Sequence, residues 1–249
     1  MGEGPVLLLL HGFLESMGMW TAFLPSLSKS HTCISIDLPG FGGSDPLPRE
    51  ALMEDFAKAV FQVVDAEGIE KFSLLGHSMG GYIGLEILRL RPESIDRLIL
   101  FHSSPFNDSK ERANTRKKAL RLIEKKPELY IQQAIQSMFK PEAKERFKKE
   151  ILEMIQEAKR LSVQGIASGL HAMLNRENRL GELEKIDERG LIIYGTLDPI
   201  IDTQMIISFY LYTDLDIHLR PLYGVGHMGH IENPEEALKA ICEGLAISA

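Results

Sequence analysis

Gly76-His77-Ser78-Met79-Gly80 sets a serine between two glycines, directly after the apolar run Phe72–Leu75 and directly before a helical pattern. In that strand–turn–helix setting the serine occupies a sharp nucleophile elbow, its hydroxyl exposed at the end of a buried strand. The flanks must be small, because a Cβ on either side would collide with the tight backbone. A hydroxyl attacks when a base removes its proton, and the base keeps its geometry when an acid orients it. Two distant stretches offer those partners. Asp198 lies in Gly195-Thr196-Leu197-Asp198-Pro199, just beyond the apolar run Leu191–Tyr194. His227 lies in Gly224-Val225-Gly226-His227-Met228-Gly229-His230, where glycines let a loop fold back over the serine. The expected catalytic triad is Ser78 as nucleophile, His227 as general base and Asp198 as the acid that holds the histidine. His230 competes for the role of base, and Asp198 taken alone reads as a turn residue before Pro199.

Attack on a carbonyl creates an oxyanion, which needs N–H donors fixed beforehand. The backbone N–H of Met79, at the start of the helix after Ser78, is one candidate. The N–H of Phe13, in His11-Gly12-Phe13 after the run Val6–Leu10, is the other. His11 itself is expected to order that loop.

These groups need a scaffold that gathers strand ends along one edge. Short apolar runs alternate with amphipathic stretches, the pattern of βα units around a parallel sheet. Strands are predicted at Val6–Leu10, Thr32–Ile36, Phe72–Leu75, Arg97–Phe101, Leu191–Tyr194 and Asp216–Leu219. Continuous apolar runs suit strands covered on both faces. Helices are predicted at Met19–Leu27, Ala51–Ala66, Ser78–Leu90 and Pro234–Leu245, the last with Asn233 as N-cap and Pro234 at the first position. Residues 105–183 show no strand and fill with charged helical patterns. The domain reading is therefore one α/β core, residues 1–104 and 184–249, carrying a helical insertion at 105–183.

The chain has 249 residues, 44% of them hydrophobic and 25% charged, which suits one soluble domain with a large core. A formal net charge of −7 argues against nucleic acid as a partner. Residues 110–160 depart from this balance, with 15 Lys+Arg against 8 Asp+Glu. That stretch reads either as solvated helix faces or as a basic cap that draws anionic substrates. Cys33 and Cys242 have no neighbours at metal-ligand spacing, so two reduced core thiols and a reducing, cytoplasmic compartment are expected, with no bound metal. The run Val6–Leu10 is too short to cross a membrane and lacks the flanks of a signal peptide.

Together, Ser78, Asp198 and His227 in that chain order, with His11-Gly12-Phe13, resemble the α/β-hydrolase superfamily over nearly the whole sequence. Asp37-Leu38-Pro39-Gly40-Phe41-Gly42-Gly43-Ser44 is similar to that family's structural loop after its second parallel strand, and 105–183 to its lid. The resemblance implies acyl transfer through a serine ester on a small-molecule acyl substrate, with no metal or organic cofactor. With five residues ahead of Val6, a shortened sheet without the family's N-terminal antiparallel hairpin is expected. Ser78 in place of an aspartate points away from the dehalogenase and epoxide-hydrolase branches. His77 stands where carbon–carbon bond hydrolases often carry Asn, and Tyr82 where the synthases of menaquinone biosynthesis usually carry Arg. The implied activity is carboxylic-ester hydrolysis. A lyase or synthase using the triad as a base, and a ligand-binding protein without catalysis, are the other readings that such a fold allows.

Other residues have two readings each. His102, Ser103 and Ser104 either line the pocket or cap a local turn. Trp20 and Phe13 either pack under a substrate or belong to the core. Tyr82 and Met173 are candidate substrate contacts, Met173 equally part of an apolar helix face. Arg176 and Arg179 either meet an anionic group or form salt bridges.

Overall fold

A computed structural model describes residues 1–246, and it gathers the apolar runs into one six-stranded sheet. The strands are β1 (Val6–Leu10), β2 (Thr32–Ile36), β3 (Phe72–His77), β4 (Ile95–Phe101), β5 (Gly190–Gly195) and β6 (His218–Leu222). Their order is β2-β1-β3-β4-β5-β6, and every pairing is parallel. Alternate side chains enter two separate cores, as a pleat of period two requires. Leu8, Leu10, Leu74, Leu98, Leu100 and Ile192 face one core. Leu7, Leu9, Leu75, Ile99, Phe101, Leu191 and Ile193 face the other. Leu7, Leu8, Leu9 and Leu10 are all fully buried. Each contributes about 1.5–3 kcal/mol, which fixes β1 and hence the start of the loop that follows it.

Helices cover both faces. The predicted helix at Met19–Leu27 is instead a 3-10 turn at Met17–Trp20 followed by α1 (Leu24–Leu27). Pro25 lacks the N–H that a continuous helix would need there. Then come α2 (Met53–Ala66) and α3 (Met79–Leu90). Between β4 and β5 the chain forms α4 (Lys110–Lys125), α5 (Pro127–Ser137), α6 (Pro141–Arg146), α7 (Lys148–Ala158) and α8 (Val163–Leu174). No strand interrupts this interval among the described residues, as its charged helical patterns predict. α9 (Thr203–Tyr212), α10 (Gly229–Glu232) and α11 (Pro234–Ala246) complete the fold. Asn233 Oδ1 accepts from the Glu236 N–H at 3.4 Å, at the start of α11.

Two elements differ from expectation. β6 lies at His218–Leu222 rather than Asp216–Leu219, because it is an edge strand and tolerates Arg220 and Pro221. Cys242 is exposed on α11, whereas Cys33 is buried; both are free thiols. No described helix is long and apolar enough to cross a membrane.

The strand order dictates where a ligand can sit. From β1 the chain crosses to β2 on one side, then returns to β3 on the other side of β1. The loops after β1 and β3 therefore part and leave a crevice at the carboxyl ends of the strands. His11-Gly12-Phe13 and Ser78 flank that crevice.

Candidate active site

Ser78 links β3 to α3 with φ 48° and ψ −110°. A left-handed φ at a non-glycine residue costs on the order of 1–3 kcal/mol, so the surroundings must enforce it. They do: the Ser78 N–H donates to the Phe101 carbonyl at 2.9 Å, and Ser103 Oγ donates to the Ser78 carbonyl at 2.8 Å. A Cβ on Gly76 would lie 2.5 Å from the Gly80 carbonyl, and a Cβ on Gly80 would collide with the Leu10 carbonyl. The two flanking glycines thus let α3 pack against β1 and β3 while holding the serine at its tip.

The structure brings Ser78, His227 and Asp198 together. Ser78 Oγ lies 2.9 Å from His227 Nε2, and His227 Nδ1 lies 2.8 Å from Asp198 Oδ2. All three side chains are buried or nearly so. The carboxylate of Asp198 accepts four hydrogen bonds. Oδ1 takes the Ile200 and Ile201 N–H groups at 2.7 and 3.1 Å, and Oδ2 takes His227 and His102 Nδ1 at 2.8 and 3.1 Å. Burial alone would raise its pKa, but the His227 and His102 rings outweigh burial and hold the carboxyl well below the usual range. An ionised Asp198 keeps the proton of His227 on Nδ1 and leaves Nε2 free to accept from Ser78.

A second acid, which sequence reasoning missed, holds the histidine loop from behind. Glu15 Oε2 lies 2.6 Å from His77 Nδ1 and accepts the Gly12 N–H at 2.8 Å. His77 Nε2 in turn donates to the His227 carbonyl at 3.1 Å. Burial opposes charge on both partners, yet their attraction prevails: the Glu15 pKa falls to about 2 and that of His77 rises. Glu232 completes the clamp, its two carboxylate oxygens accepting the Gly226 and Met228 N–H groups at 2.9 and 3.3 Å. The backbone on either side of His227 is thereby fixed. No local motif marks Glu15 or Glu232; only the sharp turns beside them hint at a need for anionic acceptors.

The remaining histidines sort clearly. Of its two readings, His102 does not take the one as a pocket residue: it is fully buried behind Asp198, and burial lowers its pKa to about 4. The hydrogen bond to Ser78 Oγ is made by His227, whereas His230 sits beside Glu15, 3.5 Å away, with its pKa lowered by burial to about 3. His11 orders the loop, its Nε2 accepting the Leu38 N–H at 2.9 Å. His102, Asp198 and His227 bring three potential metal-ligand atoms within 4.8 Å. A cation on His227 Nδ1 would force the ring proton onto Nε2 and abolish the acceptor for Ser78, so these atoms fit a hydrogen-bonded relay better than a ligand set.

A cavity of about 800 Å³ opens beside Ser78 and His227. Phe13, Tyr82, Ser104, Met173 and Arg176 line it, as do Arg112 and Arg116 of α4, which sequence reasoning did not single out. Their i, i+4 spacing is the signal that puts them on one helix face. Trp20 belongs to the core on the opposite face of the sheet. Arg179 pairs with Glu86 and Glu177, both at 2.7 Å, and so forms the salt bridges that were its alternative reading. Among the described residues the backbone N–H groups of Phe13 and Met79 donate to no protein acceptor.

The chain matches the family model described as alpha/beta hydrolase fold over residues 5–234. It is similar to the dihydrolipoyllysine-residue acetyltransferase component of the acetoin cleaving system of Pseudomonas putida, 28% identical over 212 residues, covering 80% of this chain and 54% of that protein. A fluoroacetate dehalogenase from a Burkholderia species is 33% identical over 112 residues, 42% of this chain and 36% of the relative. The chain thus spans about half the length, or less, of these curated relatives. The solved structure of a thermophilic esterase from Thermogutta terrifontis, with malate bound, is 25% identical and superposes with a TM-score of 0.89 over 98% of this chain and 90% of that one. With the parallel sheet, the strand-end serine and a family model matched across most of its length, this chain belongs to the α/β-hydrolase fold family.

Proposed function

We propose that the protein is a serine hydrolase that cleaves a carboxylic ester, or a closely related acyl compound, through an acyl-enzyme on Ser78. The observation that supports this reading most directly is the unbroken chain from Ser78 Oγ to His227 Nε2 at 2.9 Å and from His227 Nδ1 to Asp198 at 2.8 Å. Ser78 Oγ attacks the carbonyl carbon as its proton passes to His227 Nε2. The oxyanion is held by the N–H groups of Phe13 and Met79, each expected to contribute on the order of 10²-fold in rate. On collapse the bond to the leaving group breaks, and His227 returns the proton to the departing oxygen. Water then attacks the acyl-serine, giving its proton to His227, and as the bond to Ser78 Oγ breaks His227 returns that proton to Ser78 Oγ, releasing the acid and free enzyme.

The helical interval 105–183 serves as a lid over the cavity, with Tyr82 and Met173 contacting the substrate. Positioning of His227 falls to Glu15, His77 and Glu232. Two free thiols, Cys33 and Cys242, fit a reducing cytoplasmic compartment. Ser78→Ala should lower turnover of p-nitrophenyl butyrate by at least about 10⁴-fold without changing the fold. Turnover retained in that variant rejects the serine mechanism.

A further inference from the structure

The wall of the cavity carries more positive charge than it neutralises. The Asp108 side chain, 2% exposed, is shared by Arg116 Nε and Arg176 Nη1, each at 2.5 Å. Arg176 Nη2 also donates to the Phe106 carbonyl at 2.8 Å. A third guanidinium, that of Arg112, lies half-buried on the same wall and makes no hydrogen bond or ion pair among the described residues. Burial lowers its pKa, and Arg116 and Arg176 lower it further, while Tyr82 and Asp108 oppose them. Three arginines thus face one buried carboxylate. The other charged residues of the wall do not offset this corner. Glu111 and Lys118 are exposed and of opposite sign, and Asp202 is engaged as the cap of α9 through the Met205 N–H at 2.9 Å.

This corner lies close to the nucleophile. Tyr82 follows Ser78 by four residues, roughly 6 Å along the helix, and Arg176 Cζ lies 4.0 Å from the centroid of the Tyr82 ring. Asp108 pre-organises two of the arginines, so the entropy of ordering them is spent before any ligand arrives. The unpaired fork of Arg112 presents parallel N–H donors, the geometry that a planar carboxylate accepts in two hydrogen bonds.

Building on the ester-hydrolase reading above, we propose that the substrate carries a free carboxylate, seated against Arg112 and supported by Arg116 and Arg176, in the same cavity that Ser78 lines. A half-ester of a short dicarboxylic acid has this form. Arg112 is a specificity-determining residue in this assignment; it takes no part in bond breaking.

The test compares p-nitrophenyl hemiadipate with the neutral isostere in which an isopropyl group replaces the carboxylate. A charge-assisted hydrogen-bonded pair predicts a kcat/KM ratio of about tenfold or more in favour of the anion, expressed mainly in KM. Arg112→Gln should bring that ratio close to one, and Arg112→Lys should restore part of it. A uniform structural defect would lower both substrates equally and leave the ratio intact. Calorimetric binding of adipate to the full chain reads the same seat without catalysis. Adipate binding that depends on Arg112 in a chain that hydrolyses no ester would support the anion seat and reject the hydrolase reading. Ester turnover with no anionic preference, and no adipate binding that depends on Arg112, overturns the seat while leaving the hydrolase reading standing. Absence of both turnover and binding overturns both.

Discussion

Replacing Glu15 by Gln should destabilise the protein in a way that depends on pH. The carboxylate is 4% exposed and its partner imidazole 1%, at 2.6 Å. The amide oxygen of the Glu15→Gln variant can still accept from the Gly12 N–H and from His77 Nδ1, so the loss is the charge rather than the contact. Losing the charged character of a buried hydrogen-bonded pair costs about 1–3 kcal/mol. For a chain of this size that corresponds to a fall in Tm of roughly 2–12 °C. The window follows from the two pKa shifts. The folded-state pKa of His77 is raised above its ordinary 6.5, so its contribution is fully present below pH 6.5 and is lost as pH rises through the folded value. The Glu15 pKa is depressed from 4.5 to about 2, so its contribution is present above pH 4.5 and is lost as pH falls towards 2. The stability gap between wild type and Glu15→Gln should therefore be widest between pH 4.5 and 6.5 and should shrink on either side. Thermal melts of both proteins at half-unit pH intervals measure it. A gap that is constant with pH refutes the buried ion pair.

Two further outcomes follow from the same network. Asp198→Asn replaces an acceptor of four hydrogen bonds by an amide that accepts at only one atom; with the His227 tautomer no longer enforced, kcat should fall by roughly 10³–10⁴-fold in steady-state assays, and a loss below tenfold contradicts the relay. Glu232→Gln weakens the hold on the Gly226 and Met228 N–H groups, so kcat should fall by about tenfold while KM stays nearly constant, because the loop that carries His227 loosens while the cavity wall is untouched; a change confined to KM would contradict that positioning role.

Most of the sheet is legible in the sequence because both of its faces are covered, so its strands read as unbroken apolar runs. β1 and β2 match residue for residue. The edge strand β6 is harder, since Arg220 and Pro221 interrupt the apolar signal that burial would otherwise impose. α9 has no legible period: Ile206 is its only buried residue, so the run Ile206–Tyr212 carries no face. Ser78, His227 and Asp198 are legible because each sits in a turn whose glycines or proline mark a strand end. Glu15, His77 and Glu232 are not, since the groups they hold are backbone N–H and carbonyl groups brought close only by tertiary folding, with Glu15 and His77 separated by 62 residues. His102 reads as a pocket residue or a turn cap because it follows β4 at the correct edge. Its φ of +48° turns the side chain back under Asp198 instead.

The acyl-enzyme is the central claim, and intact-protein mass spectrometry tests it most directly. Rapid mixing with a slowly deacylating p-nitrophenyl ester, quenched in acid and digested, should show one acyl group per chain on the peptide bearing Ser78, formed with a stoichiometric burst of p-nitrophenol. Steady turnover without a burst and with Ser78 unmodified, or the acyl group on another residue, would contradict the account.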